Sequence, residues 1–227
     1  MKLFILTFVS GYCVMKNIRL FFILPAIIFT HASSVALAQS FKGFVLGGIN
    51  ASQVSGDELS GFNKAGLMLG GGVALPLNQT GKLNASMAIL FIQKGSKTPT
   101  SKDGNNADYY KMSLNYTEVP LMITYKPSSK IGIHAGPTVG LLVSEKEEDI
   151  AGELTERSPF EKMELGIAGG LSFHFTENFS LNMRLSNSLL PIRKIGADTR
   201  YFISGQYNSG LAFFITYTFK TQNKTNN

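Results

Sequence analysis

The chain has 227 residues, of which 44% are hydrophobic and 16% charged, with a formal net charge of +6 and a single cysteine. The charge bias is too weak to indicate a nucleic-acid partner, and one cysteine excludes an internal disulfide framework. After Gln39 no run of 18 apolar residues occurs, so the sequence predicts no transmembrane helix there.

The N-terminal segment has the three parts of a secretory signal. A basic stretch over residues 15–19 precedes an apolar run over residues 20–29, and Ala-Leu-Ala at 36–38 forms a small-x-small cleavage site. The apolar run is short for a membrane anchor, which needs roughly 20 residues. We therefore predict a signal peptide over residues 1–38, cleaved after Ala38, with Met15 as an alternative start.

The remaining domain, residues 39–227, alternates between strand-like segments and turn clusters, with almost no helical periodicity. Eight strands are predicted, at 41–53, 64–77, 83–96, 109–126, 130–144, 162–175, 178–190 and 204–219.

The connections between these strands alternate strictly in length. Those after the second, fourth and sixth strands are tight, at 78–81, 127–129 and 176–178, whereas the others are long and polar. A soluble sandwich has no reason to sort its loops in this way. A transmembrane barrel has one, because its periplasmic turns are short and its extracellular loops longer.

The two faces of each predicted strand differ sharply. In the last strand the large apolar residues Leu211, Phe213 and Ile215 alternate with small or polar ones, Phe214 being the exception. The opposite faces carry mostly Gly, Ser, Asn and Thr, too small and uncharged for a typical solvated exterior. The sequence therefore predicts an all-β fold, an eight-stranded antiparallel up-and-down transmembrane β-barrel in the cell outer membrane, with its apolar faces against lipid.

Three stretches of the domain carry a resemblance to a known family. The stretch 47–71, "GGINASQVSGDELSGFNKAGLMLGG", resembles the first hairpin of the PorT-like outer-membrane β-barrel family. The stretch 114–143 is similar to its central hairpin, and "FFITYTF" at 213–219 to its last strand. The resemblance implies the same barrel and, since some members serve protein export by the type IX route, one candidate role in secretion.

Four polar residues are predicted to face the lumen. Glu118 and Arg184 lie at similar heights above their tight turns, so we expect an ionic contact between them that plugs the lumen. A proton or ion pathway is the alternative interpretation of that pair. His134 and His174 fall on inward faces and are expected to be satisfied polar residues.

The sequence shows no convincing catalytic set. Ser172 lies two residues from His174 on the same face, but no third partner or oxyanion site is indicated. The acidic loop at 144–160 and the loop at 101–108 offer only a weak match to calcium ligands, so neither a metal nor another cofactor is predicted.

Three function classes remain open for a non-enzymatic barrel with outer-membrane lipid as its surroundings. The first is a structural or accessory envelope protein whose partners include other envelope or secretion proteins. The second is a binding or adhesion barrel that acts through its extracellular loops, and the third is a small pore or transporter.

Overall fold

The computed structural model describes residues 41–57, 59–99, 109–154, 158–194 and 205–219. The predicted signal peptide and its cleavage site lie outside these residues. The described part contains nine strands: β1 (Lys42–Ser55), β2 (Lys64–Pro76), β3 (Leu83–Lys97), β4 (Tyr110–Tyr125), β5 (Ile131–Asp149), β6 (Gly152–Glu153), β7 (Met163–His174), β8 (Phe179–Ser188) and β9 (Tyr207–Thr218).

Eight of these strands close into an antiparallel barrel. Their order is β4-β3-β2-β1-β9-β8-β7-β5, and the ring closes because β4 also pairs with β5. The two-residue β6 only extends the edge of β5 at Glu148 and Asp149. Closure pairs the backbone of every barrel strand on both sides, which is what hydrocarbon surroundings require. The predicted eight-stranded barrel is confirmed.

Side-chain alternation sorts the residues of each barrel strand between the lumen and the outside. Over most of the barrel the even-numbered residues face inward, and the core includes Met68, Leu90, Leu114, Tyr116 and Phe214. The outward faces carry exposed large apolar side chains, among them Ile49, Leu69, Ile89, Leu121, Ile133, Leu141, Ile167, Leu171, Leu185 and Ile215. An apolar exterior of this extent belongs against lipid rather than water.

The barrel has two unlike ends. The three tight turns and both ends of the strand sequence, Lys42 and Thr218, lie at one end, called here the turn end. The longer connections lie at the other, the loop end. Within the described residues no helix is long and apolar enough to cross a membrane.

Strand β5 departs from its predicted bounds, since it continues to Asp149 rather than ending near residue 144. Its register against β4 shifts once, where Asn115 pairs with Ser144 but Tyr116 pairs with Leu142, which leaves Val143 as an extra residue. A bulge of this kind reverses the faces beyond it. Glu147 is odd-numbered yet buried, whereas before the bulge the buried residues of β5 are even-numbered.

Candidate functional site

A group of charged side chains meets inside the lumen. The ammonium nitrogen of Lys94 on β3 lies 2.6 Å from Oε2 of Glu118 on β4 and 2.7 Å from Oε1 of Glu164 on β7. All three side chains are about 3% exposed. In a buried site such short charge-assisted bonds hold each group in one position.

Neutral groups complete this cluster. Asn208 on β9 donates from Nδ2 to Oε2 of Glu164 at 2.6 Å and lies 3.4 Å from the hydroxyl of Tyr116. The Tyr116 ring is fully buried, and Lys94 Nζ lies 5.2 Å from its centroid. We call these five residues, Lys94, Glu118, Glu164, Asn208 and Tyr116, the lumen cluster. An eight-stranded interior is just wide enough for side chains to fill, so the lumen cluster obstructs it.

The predicted ion pair between Glu118 and Arg184 is not formed. Both residues face the lumen and are buried, but Glu118 takes Lys94 as its partner. Arg184 instead places its guanidinium 4.8 Å from the ring centroid of Phe214, and its Nε and Nη1 have no hydrogen-bond partner among the described residues. The prediction failed because strand alternation gives the face of a residue but not which of several inward charges is nearest.

His134 and His174 face the lumen, as their positions in the alternation predict. Both line a cavity of about 230 Å³ near the turn end, together with Ser172 and Arg184. His134 is 5% exposed, and its Nε2 has no hydrogen-bond partner among the described residues. The expectation that both histidines are satisfied polar residues stays a prediction.

The glycines of the inward faces make room for these polar side chains. A Cβ on Gly170 would lie 2.7 Å from Nε2 of His134, and one on Gly140 would lie 3.3 Å from the ring of Tyr116. Gly132 leaves space for the hydroxyl of Ser172 in the same way. Larger residues at these positions would displace the lumen groups.

A second buried ion pair stands at the loop end. Arg193 donates from Nη1 to Oε1 of Glu147 at 3.0 Å and from Nη2 to Oε2 at 2.5 Å, and the Tyr110 hydroxyl donates to the same carboxylate. The Arg193 guanidinium lies 3.6 Å from the ring centroid of Phe160. We call these four residues the outer clamp, which ties the extension of β5 to the segments around Phe160 and Arg193.

Two carboxylates of the acidic loop have basic side chains as partners. The Glu147 carboxylate is engaged by Arg193, and Glu148 pairs with Lys146 at 2.6 Å and with Lys111 at 3.4 Å. In the described part of the chain no three His, Cys, Asp or Glu side chains are grouped to hold a metal ion. The acidic residues at 103, 108 and 156 lie outside the described residues.

Sequence reasoning missed Lys94, Glu164 and Asn208 as members of the lumen site. The signal was present, because all three have even numbers in strands whose even-numbered residues face the lumen. Glu147 and Arg193 could not be found in this way, since a bulge turns Glu147 inward and Arg193 follows an irregular segment.

A closed barrel with an apolar exterior and a polar, obstructed lumen is the architecture of small outer-membrane proteins. The family model described as "Outer membrane protein beta-barrel domain" matches residues 37–194, more than half of the chain. The chain belongs to the outer membrane protein beta-barrel domain family. Its place is therefore the outer membrane, where short turns face the periplasm and longer loops face outward. No curated protein is significantly similar to the chain.

Solved structures of small barrels are similar in fold. Neisserial surface protein A (NspA) is 13% identical, with a TM-score of 0.50 over 78% of this chain and 97% of that one. Ail of Yersinia pestis, solved in complex with the heparin analogue sucrose octasulfate, is 13% identical, with a TM-score of 0.47 over 79% of this chain and 99% of that one. At this level of identity the likeness to NspA concerns the fold alone.

Proposed function

We propose that this family member is a non-enzymatic accessory protein of the cell envelope, in which a plugged barrel anchors an ordered outer surface that contacts another envelope macromolecule. The observation that carries the proposal is the lumen cluster. Lys94, Glu118 and Glu164 meet inside the lumen with short mutual bonds, which disfavours transport through the lumen. Contact with a partner at the loop end is then the favoured function.

The outer extension of β5 supports this assignment. Val143 is the last outward apolar residue of β5, and the strand continues for six residues to Asp149, about 20 Å at roughly 3.3 Å per residue. The outer clamp fixes this extension through a bidentate buried ion pair. An extension held in one conformation loses less entropy on binding than a flexible loop.

The tip of the extension has the composition of a contact surface. Ile150 is 70% exposed at the turn between β5 and β6, beside the charged side chains Lys146, Glu148 and Glu153. An exposed apolar side chain inside a charged rim resembles the arrangement of protein interfaces. The PorT-like resemblance makes a secretion protein the first partner to test.

Two measurements test the proposal. Purified protein in planar bilayers is expected to give no steady single-channel conductance, because the lumen is plugged. In cells lacking the protein, the wild-type chain and Lys194→Ala should restore type IX secretion, whereas Arg193→Ala should restore less. Lys194 is the matched control because its ion pair with Glu161 is exposed. Steady conductance, or full restoration by Arg193→Ala, would contradict the proposal.

A further inference from the structure

The cavity at the turn end has a surplus of positive charge. Its lining includes Lys42, Lys126 and Arg184 but a single acid, Glu177. Burial and the nearby charge of Lys42 lower the pKa of Lys126, which stands in the turn after β4. The described residues of this lining therefore carry more positive than negative charge.

Three residues that line the cavity have hydrogen-bond donors without acceptors. Nε and Nη1 of Arg184, Oγ of Ser172 and Nε2 of His134 have no hydrogen-bond partner among the described residues. All three residues are at least nine-tenths buried and line the cavity. Each group can donate, His134 in its Nε2–H tautomer. A buried donor without an acceptor, and above all a buried cation, is costly unless a ligand or water completes it.

The strand register brings these groups to one side of the lumen. His134 on β5 is opposite Gly170 on β7, which is opposite Arg184 on β8. A Cβ on Gly170 would collide with the carbonyl oxygen of Met183 and lie 2.7 Å from Nε2 of His134, so only glycine allows His134 and Arg184 to approach this closely. Ser172 is on the same strand as Gly170, two residues along and on the same face.

We propose that this cavity is a binding site for a small water-soluble oxyanion, a phosphate or a carboxylate, that enters from the periplasm. The guanidinium of Arg184 provides the charge and two donors, and Ser172 and His134 provide one donor each. The lysines at the mouth attract the anion. A volume of about 230 Å³ exceeds the roughly 30 Å³ share of a single water. The site lies at the opposite end from the outer surface and does not depend on the proposed function.

Titration calorimetry on the refolded full-length protein in neutral detergent tests this site, with inorganic phosphate and acetate as separate probes. We expect saturable binding of at least one probe by the wild-type protein. Arg184→Met should weaken it about ten-fold or more, since hydrogen bonds to a charged group are worth about 1.5–3 kcal/mol. Arg193→Met makes the same substitution at the loop end and should leave the affinity unchanged.

Folding of each variant is checked by its heat-dependent mobility on a gel. If Arg184→Met does not fold, Ser172→Ala removes one donor from the same cavity and should weaken binding several-fold. The proposal is overturned if neither probe binds, if Arg184→Met and Ser172→Ala bind with wild-type affinity, or if only a short-chain phosphatidic acid binds and neither probe competes with it.

Discussion

Lys94 on β3 bridges Glu118 on β4 and Glu164 on β7, with its ammonium nitrogen 2.6 Å from one carboxylate and 2.7 Å from the other. One cation thereby pairs with a carboxylate on β4 and a carboxylate on β7, two strands that are not adjacent in the sheet. Because β5 lies between β4 and β7, this contact links strands that share no backbone hydrogen bonds. Its removal would leave two carboxylates buried and unpaired.

Lys94→Met should therefore destabilise the barrel by about 3–5 kcal/mol, the usual result of removing one partner of a buried ion pair. Urea unfolding in lipid vesicles, followed by circular dichroism, measures the change. The triple variant Lys94→Met/Glu118→Gln/Glu164→Gln carries no unpaired charge in the lumen cluster and should recover most of the lost stability. A Lys94→Met protein with a wild-type urea midpoint would show that the bridge is not stabilising.

The outer clamp should control protease resistance at the loop end. Arg193→Ala removes the bidentate partner of Glu147 and leaves that carboxylate buried. We expect faster cleavage in the segment 144–160, with little change in the urea midpoint of the barrel. Lys194→Ala, which breaks only an exposed ion pair, should be cleaved at the wild-type rate. Equal cleavage of the two variants would refute the clamp.

The destabilisation caused by a charged residue on the lipid-facing surface should depend on its depth in the membrane. Ile167 lies near the middle of the outward apolar row of β7, whereas Phe175 lies in the turn that follows it. Ile167→Arg should cost about 2–4 kcal/mol and Phe175→Arg about 0–1 kcal/mol, because the cost of arginine falls toward the membrane interface. Unfolding in vesicles measures both. A reversed order would mean that the membrane band is misplaced.

The stability of the barrel should fall when Gly136 is replaced by even the smallest larger residue, alanine. A Cβ at this position would collide with the carbonyl oxygen of Leu121 on the neighbouring strand, so the backbone would have to move. Gly136→Ala is expected to cost about 1–3 kcal/mol, as overpacking does elsewhere. Gly169→Ala is the matched control, because its nearest neighbour would be the carbonyl oxygen of His134 at an ordinary 3.7 Å. Similar urea midpoints for the two variants would argue against this close approach.

Much of the fold follows from the pattern of residues along the chain. Alternation as in Leu211, Phe213 and Ile215, with short and long connections in turn, predicted the number of barrel strands, the barrel and its lipid-facing surface. Phe214 broke the pattern, and the structure explains it as a buried lumen residue beneath Arg184. The extension of β5 was missed because Ser144–Asp149 is polar on both faces and carries no alternation.

The sequence by itself determined which face of each strand meets lipid, because alternation is a local property and closure is the only way to satisfy every backbone group in hydrocarbon. Only the tertiary structure decided which charges meet. Glu118 has Lys94 rather than Arg184 as its partner, and Glu147 reaches Arg193 because the extra residue Val143 turns it inward. Those contacts depend on strand register and on a bulge, and both are set by the packing of the whole barrel rather than by neighbouring residues.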